Sequence, residues 1–133
     1  MDAIRTVWAP RALSLLRIVT GLLFLEHGMM KVFGFPAGPG LFHLPPLLML
    51  AGLIEVVGGV LVILGLFTRP AAFIMSGEMA VAYFMYHLPL GFLPLVNKGE
   101  SAILYCFIFL YLAAAGGGAW SLDAARTCSS TQA

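Results

Sequence analysis

Four glutamates stand in otherwise apolar surroundings in this chain: Glu26, Glu55, Glu78 and Glu100. Near them in sequence lie His27 and Lys31, and further along His43, His87, Asn97 and Lys98. A carboxyl group in an apolar site is pushed toward its neutral form, a second one sharing the site pushes it further, and a nearby amine pulls it back. Such a set can hold or relay protons, hydrogen-bond a quinone carbonyl or hydroxyl, or ligate a metal. The metal reading is the weakest of the three. Carboxylate-bridged metals in helical bundles use Glu-x-x-His pairs, and none occurs here, while the adjacent Glu26 and His27 diverge by about 100° around a helix. No metal is therefore predicted. Met75, Met79 and Met85 are soft ligands in principle but suit gap-filling in an apolar bundle.

Glu55 sits in the middle of the run from Leu47 to Phe67, about twenty residues in which it is the single ionisable side chain. That length matches the hydrocarbon core of a bilayer. A carboxylate at mid-depth costs about 2.5–3.5 kcal/mol on insertion scales, so it must face a bundle interior and a partner instead of lipid. Gly52, Glu55 and Gly59 fall on one helix face, where the two glycines allow a neighbouring backbone to come close.

The remaining elements follow from breakers and caps. Trp8 suits an interfacial anchor, and Pro10 suits the first turn of a helix over about residues 11–33. Basic residues ahead of an apolar run also suit a signal peptide. That run, however, leads into Glu26-His27 without a small-residue cleavage site, which predicts an uncleaved first helix. Three glycines and two prolines in residues 34–40 break it. Further helices are expected over about 45–67, 70–88 and 100–116, the last closed by Gly116-Gly117-Gly118. These four helices make one domain over 1–123, with 124–133 expected as a disordered cytoplasmic tail.

Four short-looped spans imply an all-α, integral membrane, antiparallel four-helix bundle. The composition agrees: of 133 residues 61% are hydrophobic and 10% charged, against about 25% charged in soluble domains. Arg5, Arg11, Arg17, Arg69 and Arg126 would lie on one side, with Lys31 and Lys98 on the other, so both termini are expected in the cytoplasm and the chain in the inner (plasma) membrane. A formal net charge of +1 leaves no basic stripe for a nucleic-acid partner. Cys106 and Cys128 form no redox pair motif. The glycine triplet follows a helix instead of opening one, which is the wrong context for a phosphate cradle.

With about 1.5 Å of rise per residue, Glu55 and Glu78 each lie about 15 Å from the same end of the bundle. This depth makes them the candidate catalytic, proton-exchanging pair. Glu26, His27, Lys31 and Glu100 are the candidate ligand-binding residues nearer the outer surface. The same residues admit plainer roles: Glu55 and Glu78 as a latch between helices, Lys31 and Lys98 as interfacial amines, and Glu100 as an acid favouring a helix N-terminus.

In this order the residues resemble the DoxX family of small bacterial and archaeal membrane proteins. The resemblance runs from about Arg17 to Asp123. Its carriers are Arg17 and Gly21; His27-Gly28, Lys31 and Gly34; Glu55 with Gly58-Gly59; Leu64 to Ala72; His87 with Gly91-Phe92; Asn97-Lys98-Gly99-Glu100; and Ser121-Leu122-Asp123 after a glycine-rich turn. It implies a four-helix membrane protein in a redox setting, since relatives have been linked to thiosulfate:quinone oxidoreductase, to quinol oxidase assemblies and to complexes handling thiol or oxidative stress. The resulting expectation is a membrane subunit of a quinone-linked, sulfur- or thiol-related oxidoreductase, with quinone as cofactor. Expected partners are the lipid bilayer and either another membrane protein or further copies of the chain. The alternatives are a non-catalytic accessory subunit packing against a larger complex, and a small permease.

Overall fold

The computed structural model describes residues 1–130, and among these the chain is helical with no strand. A π-helical turn, Ile4–Trp8, runs directly into α1 (Ala9–Phe33). After the 34–40 loop and a 3-10 turn, Leu41–His43, come α2 (Pro46–Leu64) and α3 (Thr68–Ala82). A π-helical stretch, Tyr83–His87, and a 3-10 turn, Leu88–Leu90, extend α3. A single turn α4 (Pro94–Asn97), α5 (Glu100–Ala115) and α6 (Leu122–Ser130) complete the order.

Two boundaries depart from expectation. The second helix was expected to reach residue 67 but stops at Leu64, because Gly65 takes a left-handed conformation (φ 67°). There the Leu66 N–H bonds back to the Leu61 carbonyl at 3.0 Å, the pattern that ends helices at glycine. The disordered tail expected over 124–133 is a correction. Residues 122–130 form α6, held by the Asp123 N–H on the Gly65 carbonyl at 2.9 Å. The last three positions of that expectation lie outside the described residues.

The helices pack in two antiparallel pairs, α1 with α2 and α3 with α5, joined by α2 against α3. Along the first pair Gly21 meets Ile63, Leu25 meets Gly59, Gly28 meets Val56 and Lys31 meets Gly52. A Cβ on Gly28 would lie 2.8 Å from the Val56 backbone nitrogen, so this approach requires glycine. Phe24, Val62, Met75, Phe109 and Leu112 form the core, with Phe24 and Phe109 edge to face at 4.8 Å. Large apolar side chains such as Leu15, Leu53, Phe73 and Phe107 cover the outer faces. Two helical runs, Ile4–Phe33 and Pro46–Leu64, are long and apolar enough to cross a membrane, and Glu100–Ala115 is a shorter apolar helix.

Candidate functional site

Glu55 is almost fully buried, 1% exposed, and forms an ion pair with Lys31 across the α1–α2 contact. The pair exists because of Gly52, whose missing side chain leaves room for the lysine stem; a Cβ there would lie 2.9 Å from the Lys31 Cβ. The amine is thus directed inward, away from the interfacial position that a lysine near a helix end also suits. One Glu55 oxygen, Oε1, takes the amine. The other, Oε2, is buried without a hydrogen-bond partner.

Glu78 comes from the facing side. Gly58 of α2 packs on Met75 of α3, and one turn back along α2 and one turn on along antiparallel α3 stand Glu55 and Glu78. Both Glu78 oxygens are buried and unpartnered, and the group lies within the electrostatic reach of Glu55 and Lys31.

Two cavities open around this cluster, and Lys31, Met79, Ala82 and His87 line both. The smaller, about 210 Å³, adds Phe24, His27, Glu55, Ser101 and Tyr105. The larger, about 390 Å³, adds Glu78, Tyr86 and aliphatic side chains of α2 and α3, among them Leu47, Leu50 and Ile54. His27 donates from Nδ1 to the Leu23 carbonyl at 2.9 Å and meets the Tyr105 ring edge to face at 5.9 Å. His87 donates from Nδ1 to the Asn97 carbonyl at 3.1 Å. Asn97, buried, braces that loop by donating to the Gly91 carbonyl at 2.7 Å and accepting from the Gly99 N–H at 2.8 Å.

The structure therefore brings together Glu55, Glu78, Lys31 and His27. It does not bring Glu26 or Glu100 to them: both side chains are exposed and neither lines a cavity. His87, Tyr105 and Ser101 join the cluster unforeseen. His87 follows Glu78 by nine residues, half a helical turn out of phase, and only the π-helical stretch returns it to the Glu78 side, a shift that apolar periodicity does not encode. Among the described residues no three His, Cys, Asp or Glu side chains are placed to hold a metal ion.

A second polar centre occupies the opposite end. The fully buried Arg17 donates from Nε to the Gly117 carbonyl at 2.8 Å, from Nη2 to Trp120 at 2.6 Å, and from Nη1 to Val62 and Ile63 at the end of α2. A cation there also complements the negative end of the α2 dipole. Asp123 accepts the Phe67 and Thr68 N–H groups at 2.9 Å each, capping α3 from α6. Partial burial works against ionisation of Asp123. Its hydrogen bonds from Thr68 and Phe67 and the Arg126 charge outweigh burial and hold its carboxyl below the usual range. Among the described residues every hydrogen bond of the Arg17 guanidinium goes to a backbone carbonyl, so this centre fastens the glycine-rich 116–118 turn and the segment leading into α6 to the helices.

A helical protein with acids and an amine gathered beside internal cavities is the class defined so far. The DoxX family model matches residues 12–88, and the chain belongs to that family. It is a DoxX-family membrane protein. A relative from Haemophilus influenzae, an uncharacterized protein, is 47% identical over 87% of this chain and 91% of its own length. An uncharacterized membrane protein of Mycobacterium tuberculosis is 33% identical over 86% of this chain and 80% of its own. No solved structure matches the chain.

Proposed function

We propose that this protein is a four-helix inner-membrane bundle that admits a quinone-like molecule from the bilayer beside Lys31 and exchanges protons with it through Glu55 and Glu78, as the ligand-binding subunit of a quinone-linked oxidoreductase. The observation that carries the reading is the placement of three buried, unpartnered carboxyl oxygens next to one lysine where two cavities meet. An ionised carboxylate left without a donor in an apolar wall is expensive. A proton or a bound molecule removes that cost, and both are what a quinone site handles.

The same bilayer setting accounts for the exposed aliphatic faces, and the helical run 68–87 with α5 supplies the remaining crossings. The excess of arginine at the Arg17 end favours placing both termini in the cytoplasm. Electrons come from a partner protein in this reading, since Cys106 and Cys128 stand apart and unpaired.

The test is equilibrium binding of a short-chain benzoquinone to the full chain in lipid vesicles. Saturable binding that disappears in Ala82→Phe, which fills the space common to both cavities, supports the proposal. Its absence in the wild type contradicts it. A second reading, an accessory subunit whose acids only tie helices together, is favoured by the closed Lys31–Glu55 pair. That reading predicts copurification with a larger complex and indifference to Ala82→Phe.

A further inference from the structure

The smaller chamber joins surface to interior. Ser101, in the first turn of α5, and His27 are exposed, whereas Glu55 in the same wall is buried. Both exposed residues belong to the end of the bundle opposite Arg17: α5 begins there, and His27 stands less than two turns before Phe33, where α1 ends. Resting on the proton-exchanging role proposed for Glu55 and Glu78, we infer that this chamber is the hydrated entry through which protons reach the two acids, and that it opens only at the end opposite Arg17. The larger, mostly aliphatic cavity is left to the ligand.

Three observations carry this. First, the wall offers groups that hold and pass protons: the Ser101 and Tyr105 hydroxyls, the His27 and His87 rings and the Lys31 amine line the chamber with Glu55. Each ring gives Nδ1 to a carbonyl, which leaves Nε2 to exchange a proton. A volume of about 210 Å³ has room for several water molecules at roughly 30 Å³ each, and water enters a cavity that offers it a few polar partners. Second, the path has an end point. Glu55 Oε2 has no partner, nor has either Glu78 oxygen in the adjoining cavity past Lys31, and water satisfies each acid whether it donates or accepts. The titratable groups around the two acids are Lys31 and His27 of α1, Tyr86 and His87 of the π-helical stretch, and Tyr105 of α5. Third, the other end is shut. Phe24, which lines the chamber, packs on Phe109, and Val62 and Leu112 are fully buried with them. Behind that layer come the Arg17 bonds, the Trp120 N–H on Ser14 Oγ at 3.0 Å and the Ala119 N–H on the Pro10 carbonyl at 3.2 Å. Glu55 is about 15 Å from the Gly65 end of α2, so a proton from that side meets the apolar layer.

The experiment places one thiol in the chamber. Ala102→Cys is combined with Cys106→Ala, and the exposed Cys128 is kept as a marker of the Arg17 end. A charged, membrane-impermeant thiosulfonate is added to one face of sealed vesicles holding the full chain, and the two thiols are read separately by peptide mass. In parallel, the infrared carboxyl band that disappears in Glu78→Gln is followed after a pH jump. The expected result is labelling of the introduced thiol only from the face that leaves Cys128 untouched, with a carboxyl band that follows the pH. Tyr105→Phe, which removes one hydroxyl from the path, is expected to keep the labelling and to slow the carboxyl response by about tenfold or more. An introduced thiol that reacts from the Cys128 face, or from neither face, overturns the one-ended entry, and a band that still titrates then leaves the proton-exchanging role standing. A band that answers to pH on neither face overturns both. An unchanged rate in Tyr105→Phe overturns Tyr105 as a carrier of the path.

Discussion

Lys31 stands in a notch made by Gly52, with the lysine Cβ 2.9 Å from where a glycine Cβ would be. One missing side chain thus lets a flexible cation turn inward to Glu55 instead of outward along the helix. Gly52→Val fills the notch and forces α1 from α2 at that level. The expected cost is about 1–3 kcal/mol, the range for overpacked contacts, measured as a lower midpoint in detergent unfolding.

The ion pair is asymmetric in its consequences. Lys31→Met strands Glu55 in the interior and is expected to cost about 3–5 kcal/mol, whereas Lys31→Met with Glu55→Leu replaces the pair by apolar groups and recovers most of the loss. The double variant is expected to fold and to lose ligand binding. Unfolding of the two single variants and the double one checks the cycle, and a double variant as unstable as Lys31→Met would contradict it.

Arg17 behaves differently because its partners are backbone carbonyls. Arg17→Lys keeps the charge but offers a compact ammonium in place of a planar fork, leaving at least one buried carbonyl without a donor at about 1–3 kcal/mol. The loss is expected at the 116–121 segment first, seen as faster hydrogen exchange there than at α2.

Asp123 gives the pH dependence. Its carboxyl titrates below the usual range in the folded chain, so its contribution is fully present above the ordinary aspartate value and fades as pH falls through that value toward the depressed one. Asp123→Ala removes the cap on α3, at about 1 kcal/mol. It is also expected to flatten the acid limb of the unfolding midpoint against pH, while an unchanged acid limb would show that Asp123 is not its source.

Much of this arrangement is readable in the sequence, and the exceptions have physical causes. The distances of Glu55 and Glu78 from their helix ends place them at one level, because helical rise is constant. Which carboxyl takes the lysine is not readable, since that depends on the rotation of α1 against α2, set by the Gly28–Val56 and Gly52–Lys31 contacts. Glu26 and Glu100 were candidate ligand-binding residues because position along a helix reports depth but not azimuth; both are exposed. Gly65 ends α2 well before Pro70, where the next helix was expected to start, and Asp123, fifty-six positions after Phe67, completes the turn. A cap supplied from so far along the chain has no local signature. The polar tail residues likewise gave no sign of α6, which is tied by long-range bonds at Gly65 and Asp123.

The central claim, that a bilayer-derived ring binds beside Lys31, is tested most directly at the lysine itself. Nitrogen NMR of the Lys31 Nζ in nanodiscs, followed while a short-chain benzoquinone is added, is expected to show a saturable shift in the wild type and none in Ala82→Phe. A signal that stays fixed through saturation of the membrane with the compound would contradict the account.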